Sequence, residues 1–143
     1  MKTLRQLLAD KQQTLAVVSP KDTVFHALKL MADHNVGAVL VLDGGQLVGL
    51  LSERDYARKI VLQGKSSKDA TVQDIMSDKV LYVSLEHSID QCMSIMSEKR
   101  FRHLPVLDAE QQLVGIVSIG DLVKETICEQ QFIIHQLENY ING

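Results

Sequence analysis

Two copies of a short polar motif combine groups that bind sugar phosphates. Ser52 and Asp55 follow one apolar run, and Ser118 and Asp121 follow another with the same spacing. In each copy the aspartate lies where a helix is expected to begin. A carboxylate accepts hydrogen bonds from the paired hydroxyl groups of a ribose, whereas a hydroxyl and the first amide groups of a helix suit a phosphate. The motif therefore predicts two strand-to-helix corners whose groups suit a ribose and a phosphate.

The same motif has an interpretation that needs no ligand. Ser-x-x-Asp before an apolar run is a capping box, in which the two residues satisfy each other's backbone amide groups. Gly49 and Gly115 precede the two serines by three positions. Because glycine weakens a strand, its presence indicates that something approaches the backbone closely. That inference favours a bound ligand, and the serine could serve as a cap as well.

The two copies differ in their basic residues. Arg54 lies inside the first motif, where its guanidinium group matches phosphate oxygens, while the second motif has Ile119 and Gly120. We therefore expect the second site to differ in occupancy or in ligand. Arg58 and Lys59 follow on the same predicted helix, and a solvated charged face remains an alternative for them.

Hydrophobic periodicity predicts the same order of elements on both sides of a linker-like stretch at 64–70. The predicted helices cover 3–10, 24–31, 53–62, 72–76 and 89–96, with a long last helix from 119 or 120 to 141. The predicted strands cover 14–18, 36–42, 47–51, 80–83, 104–107 and 113–117. This order predicts an α/β (α+β) fold of two pseudo-symmetric β-α-β-β-α repeats packed sheet to sheet. We place the repeats at 1–64 and 65–130, with a C-terminal helical extension at 131–143.

Composition excludes several classes of function. The chain has 143 residues and a net charge of −3, which argues against a nucleic-acid binder such as a DNA-binding protein. It lacks an apolar run long enough for a membrane helix and a signal peptide, so we expect a cytoplasmic protein. Cys92 and Cys128 lie in apolar helical patterns and are expected to be buried. The five histidines lack the spacing of a zinc site, and no nucleophile elbow is present; we therefore predict neither metal-binding nor catalytic residues.

The duplicated order of elements and the duplicated Gly-x-x-Ser-x-x-Asp motif resemble a tandem pair of cystathionine-β-synthase (CBS) domains, also called a Bateman module. The segments 74–77 and 102–108 fit the same family. The resemblance implies a regulatory module and no required cofactor. It implies an adenosine-containing regulatory ligand (AMP, ADP, ATP, NAD or S-adenosylmethionine) in clefts between the repeats. It also implies a homodimer that acts on an unknown regulated protein.

The resemblance also implies residue roles at two sites. At the first, Arg102 and His103 approach the phosphates of a nucleotide held by Ser52, Arg54 and Asp55, and the base is lined by Val80 and Phe101. The reciprocal site has a different set of residues: Ser118 and Asp121, with Leu15 and Val36 around the base. A satisfied buried histidine remains an alternative for His103.

Two other functional classes stay open on sequence grounds. One is a structural dimerisation module whose corners are caps without ligand. The other is an enzyme acting on nucleotides, for which no general base stands near a nucleophile. The last helix has more apolar residues than one repeat requires, so we expect it to pack in a dimer interface or on a partner.

Overall fold

The computed structural model describes residues 2–11 and 15–142. The helices are α1 Leu4–Lys11, α2 Val24–His34, α3 Glu53–Tyr56, α4 Val72–Ile75, α5 Ile89–Lys99 and α6 Ile119–Asn142, and α3 continues into a π-helical turn at Ala57–Val61. The strands are β1 Val17–Val18, β2 Ala38–Asp43, β3 Gln46–Ser52, β4 Val83–Ser84, β5 His103–Leu107 and β6 Leu113–Ser118.

Each half of the chain forms a three-stranded sheet of the same topology. The strand orders are β1-β2-β3 and β4-β5-β6, with a parallel first pair and an antiparallel second pair. Both hairpins have a register shift at the same place, between Val41 and Leu42 in one and between Val106 and Leu107 in the other. The mixed α/β class and its internal duplication are therefore confirmed.

The helices α2 and α5 begin where the sequence predicts and extend three residues beyond the predicted ranges. Thr23 caps α2, and Ser88 forms a reciprocal capping box with Gln91 at the start of α5. Both helices end at a left-handed residue, Asn35 with φ 53° and Arg100 with φ 60°. Such a residue stops a helix because it turns the backbone away from the helical path.

The first strand of each repeat is shorter than predicted. Of the predicted strand 14–18, only Val17 and Val18 pair, opposite Leu40 and Val41 of β2; Thr14 lies outside the described residues. The predicted strand 80–83 is Val83–Ser84. β-Branched composition gives a strand only where a ladder partner exists, and these strands share only two paired positions with their neighbour.

The described residues divide into two compact units, one of 15–81 and the other of 2–11 with 82–142. We call α1 and α4 the leading helices, because each precedes the first strand of a repeat. Leu4 and Leu7 of α1 lie in the core of the second repeat, and Val72 and Ile75 of α4 lie in the core of the first. The predicted ranges 1–64 and 65–130 group each leading helix with the strands that follow it. Each compact unit instead contains the leading helix of the other repeat. Those ranges stay predictions about the sequence repeats.

The two glycines of the motif make room for neighbours from the leading segments. A Cβ on Gly49 would lie 2.5 Å from Met76 Sδ and 3.1 Å from the carbonyl oxygen of Ser77. A Cβ on Gly115 would lie 2.7 Å from Leu8 Cδ2. The close approach inferred from the sequence is real, but these neighbours belong to the protein. The glycines therefore do not by themselves favour a ligand.

The long last helix extends beyond the core. Leu122 is the only residue of α6 that is fully buried within its described length.

Cys92 is buried, and burial raises the pKa of its thiol to about 11. Cys128, on α6, is exposed. The prediction of two buried cysteines is therefore wrong for Cys128, because α6 presents that part of its surface to solvent.

Within the described ranges, none of the helices combines the length and apolar character of a membrane span.

The contact between Gly115 and Leu8 predicts the sign of a substitution. An alanine at an unstrained glycine normally stabilises a protein by about 0.4–1 kcal/mol. Gly115→Ala should instead destabilise the fold by about 1–2 kcal/mol, since its methyl group overlaps Leu8. Urea unfolding measures this change.

Two further variants separate the overlap from other effects. In a Leu8→Ala background, Gly115→Ala should lose most of its cost. Gly120→Ala is the matched control, because its Cβ would meet Ser118 Oγ at an ordinary 3.6 Å, and it should be neutral or stabilising. An equal cost of Gly115→Ala with and without Leu8 would contradict the packing argument.

Candidate functional site

The first corner is the passage from β3 into α3, where Ser52 and Asp55 form a complete capping box. The Asp55 amide donates to Ser52 Oγ at 3.2 Å. Asp55 Oδ2 accepts from the Ser52 amide at 3.0 Å and from Ser52 Oγ at 3.1 Å. The capping interpretation is therefore correct for this corner. The carboxylate has a fixed orientation, because two donors hold the same oxygen.

Lys59 ties the first corner to the leading helix α4. Its Nζ donates to the carbonyl oxygen of Ile75 at 2.9 Å and lies 3.6 Å from Asp55 Oδ1. Lys59 is thus not simply part of a solvated face. Arg54 and Arg58 are exposed, and in the described parts of the chain neither forms an ion pair.

The second corner is the passage from β6 into α6, and it contains the same box. Asp121 Oδ2 accepts from the Ser118 amide at 2.9 Å, and the Asp121 amide donates to Ser118 Oγ at 3.1 Å. Lys11 Nζ also lies 2.6 Å from Asp121 Oδ2 and donates to the carbonyl oxygen of Ile116 at 3.0 Å. The last residue of α1 therefore supplies a cation that the second motif itself lacks.

Sequence analysis missed Lys11. It lies 110 positions from Asp121, and a lysine at the end of a short helix is a common feature that also suits the helix dipole. Its role depends on α1 packing against the second repeat, which neither periodicity nor composition indicates.

Electrostatics at the second corner follow from this ion pair. Burial alone would raise the pKa of Asp121, but the hydrogen bonds from Lys11 and from Ser118 outweigh it and hold that pKa below its ordinary value. The Asp121 carboxylate is therefore ionised at neutral pH. Because both side chains are less than a third exposed, at 26% and 17%, solvent screens the pair only in part.

His103 lies beside the second corner. In the ladder of β5 and β6 it stands directly opposite Ser118. Burial lowers the pKa of His103, and Lys11 and Arg102 lower it further against an opposing effect of Asp121. The imidazole is therefore neutral at pH 7 and is a hydrogen-bonding group there. These surroundings agree with the alternative that His103 is a largely buried histidine.

The backbone amide groups at the corners are mostly occupied. The Glu53 amide donates to the carbonyl oxygen of Gly37 at 3.0 Å, and the Ile119 amide donates to that of Arg102 at 2.9 Å. The third amide of each helix donates to the capping serine. The amide groups expected to hold a phosphate are thus largely engaged within each unit.

The other predicted site residues are hydrophobic or exposed. Leu15, Val36 and Val80 belong to the unit of 15–81 and are half-buried. Phe101 is half-buried against the core of the other unit, and Arg102 is exposed. In the described residues Arg102 makes no ion pair. A cleft of about 360 Å³ on the second unit contains none of the predicted site residues; it is lined by Lys2, Gln6, Glu125, Cys128, Glu129 and Phe132.

Over the described ranges, no group of three histidine, cysteine or acidic side chains is placed to hold a metal ion.

Comparison with known proteins agrees with the duplicated architecture. The CBS-domain family model matches the chain twice, at 12–62 and 72–127. The Arabidopsis thaliana protein CBSX3, named as mitochondrial, is 42% identical over 127 residues, which cover 85% of this chain and 61% of that protein. The chain thus spans less than two thirds of the length of this relative.

Solved structures give the same result. A protein with CBS domains from Burkholderia ambifaria MC40-6 is 49% identical, with a TM-score of 0.84 over 90% of this chain and 96% of that one. The structure of CBSX2 in complex with AMP is 29% identical, with a TM-score of 0.66 over 83% of this chain and 92% of that one.

CBS-domain pairs are regulatory modules. Because the family model covers both repeats and the fold is the same in close relatives, this chain belongs to the CBS-domain family.

Proposed function

We propose that the chain is a homodimeric regulatory module that binds an adenine nucleotide at its Ser–Asp corners, with AMP as the first ligand to test. The observation that carries the proposal is the state of the two aspartates. In Asp55 and in Asp121 the hydrogen bonds of the capping box engage Oδ2, while among the described residues Oδ1 accepts no hydrogen bond. Each corner thus presents an oriented carboxylate oxygen that can accept from ribose hydroxyl groups.

The relatives support an adenosine compound. CBSX2 forms a complex with AMP. AMP shares its adenine and its ribose 5′-phosphate with ADP, ATP and NAD, whereas S-adenosylmethionine shares the adenosine but has no phosphate. The corners select for that shared part. NAD, ATP and S-adenosylmethionine therefore stay alternatives within the proposal.

Arg54 and Arg102 are the proposed phosphate ligands. Both are exposed, and within the described part of the chain neither guanidinium group is paired with a carboxylate. A free guanidinium group can form two parallel hydrogen bonds to a phosphate. His103, being neutral, would add a hydrogen bond rather than a charge. The proposed base contacts are Val80, Phe101, Leu15 and Val36.

The two corners should bind unequally. Lys59 lies 3.6 Å from Asp55 Oδ1 and donates its hydrogen bond to the carbonyl oxygen of Ile75, whereas Lys11 lies 2.6 Å from Asp121 Oδ2 and is only 17% exposed. An ion-paired carboxylate is the weaker acceptor for a neutral hydroxyl group. We therefore propose that the first corner binds the nucleotide more tightly.

Binding regulates only if the ligand prefers one of two arrangements of the protein. We propose that the chain has no catalytic role, binds neither DNA nor a membrane and lies in the cytoplasm. A partner protein would respond to its ligand state. A dimerisation module without ligand is the second candidate, favoured by capping boxes that are complete in themselves.

Calorimetric titration with AMP tests the proposal, and Asp55→Ala should remove the tighter binding event. The variant should lose only about 1 kcal/mol of stability, the usual cost of a lost cap. Asp74→Ala is the matched control, because Asp74 accepts from the Thr71 amide in a capping box outside both corners. Saturating AMP should stabilise the wild-type chain by about 2–4 kcal/mol. If AMP, ATP, NAD and S-adenosylmethionine all give neither binding heat nor stabilisation, the result would contradict nucleotide binding and favour the dimerisation module.

Lys11→Met should strengthen binding at the second corner. In the Asp55→Ala background only that corner is measured. Freeing Asp121 from its ammonium partner should raise its affinity for AMP about tenfold, the equivalent of one charge-assisted hydrogen bond. Lys2→Met is the control, since it removes an ion pair with Asp10 elsewhere on the same segment. Unchanged or weaker AMP binding would show that Lys11 does not compete for the carboxylate.

Arg102→Ala should discriminate between ligands with and without phosphate. We expect AMP to bind at least tenfold more weakly, because a charged hydrogen bond is lost, while adenosine should change less than twofold. Arg58→Ala, another exposed arginine, serves as control and should affect neither ligand. If the affinities for AMP and adenosine fall equally, Arg102 does not contact the phosphate.

A further inference from the structure

One stripe of α6 consists of exposed apolar residues at alternating spacings of four and three. Its five apolar members are 40–78% exposed and its polar member Gln130 is exposed as well; the six positions form two interleaved sets of three, each with a spacing of seven residues. We call this stripe the seam; it comprises Val123, Ile127, Gln130, Ile134, Leu137 and Ile141. A seven-residue repeat of this kind fits the a and d positions of a coiled coil.

The seam is not the face by which α6 packs in its own unit. That face contains Leu122, which is fully buried, and Thr126, whose Oγ1 lies 3.3 Å from Met93 Sδ. Val123 and Ile127, each one residue further along, are 40% and 48% exposed. The seam thus lies beside the buried face of α6 and is uncovered within its own unit.

The charges beside the seam indicate what the other molecule is. Among the positions that flank it, only Lys124 and Glu138 are charged, and neither forms an ion pair in the described chain. If two copies of α6 run antiparallel, with their midpoints near residue 132, Lys124 of each copy faces Glu138 of the other. A parallel pair brings neither charge near an opposite one. The flanking charges are thus complementary to themselves in one orientation only.

We propose that α6 pairs with α6 of a second copy of this chain as an antiparallel coiled coil. Ile127 would pack on Leu137, Gln130 on Ile134, and Val123 on Ile141, in two symmetric sets. The seam covers 19 residues, a length of about 28 Å at 1.5 Å per residue. The inference deepens the proposed function, because it assigns the surface by which the homodimer forms.

Charge reversal tests the orientation by sedimentation at low salt. Lys124→Glu and Glu138→Lys should each weaken the dimer about tenfold, since each variant replaces two attractions by two repulsions. The double variant restores opposite charges across the pair and should dimerise like the wild type. Additive losses in the double variant would overturn the antiparallel arrangement.

A second pair of variants tests the surface itself. Ile134→Lys with Leu137→Lys should give a helical monomer, whereas Phe132→Lys, at a 60% exposed position of α6 outside the seam, should remain a dimer. A wild-type monomer, or a seam variant that stays dimeric, would overturn the proposal. AMP titration of the same variants keeps the two proposals apart. Failure of the wild-type chain to bind AMP would contradict only the nucleotide function. A seam variant that stays dimeric would contradict only the proposed seam.

Discussion

The absence of a side chain at Gly49 and Gly115 is the constraint on which both units depend. Without a Cβ at these places, Met76 and Leu8 can lie against the third strand of each sheet. A half-domain of about 60 residues buries so little surface that it is only marginally stable alone. The leading helices supply the missing apolar residues to each core. The same strand then reaches the capping serine three residues later, so packing and site are set by one short segment.

The leading segments also determine the charge at the corners. Lys59 bonds to a carbonyl oxygen of α4 and stays 3.6 Å from Asp55, whereas Lys11, which belongs to α1, is in direct contact with Asp121. Two motifs that are equivalent in sequence therefore differ in how closely a lysine approaches the carboxylate. This difference originates outside the motifs themselves, since the cation of the second corner comes from α1.

The fold was predictable because its signals are local and repeated. Alternating apolar runs, the capping box at Ser88 and the duplicated motif each depend on neighbouring residues. What the sequence could not indicate depends on contacts between distant segments. Lys11 beside Asp121 requires knowing that α1 packs on β6, and the two-residue strand at Val17 requires knowing where β2 offers a partner. The glycines illustrate both sides: their spacing correctly indicated a close approach, but not whether a ligand or a protein side chain makes it.

The geometry of α6 links the second corner to the seam. Asp121 lies in the first turn of this helix, and Val123, two residues further on, begins the seam. A helix is stiff over such a distance, so a ligand that replaces Lys11 as the partner of Asp121 and turns the helix start also turns the apolar face. Thermodynamic reciprocity then applies: if the nucleotide changes the stability of the α6 pair, dimerisation must change nucleotide affinity by the same factor. The first corner, on α3, has no such shared element with the seam. Under the two proposals, regulation of assembly would therefore depend on the second corner, where Lys11 contacts Asp121.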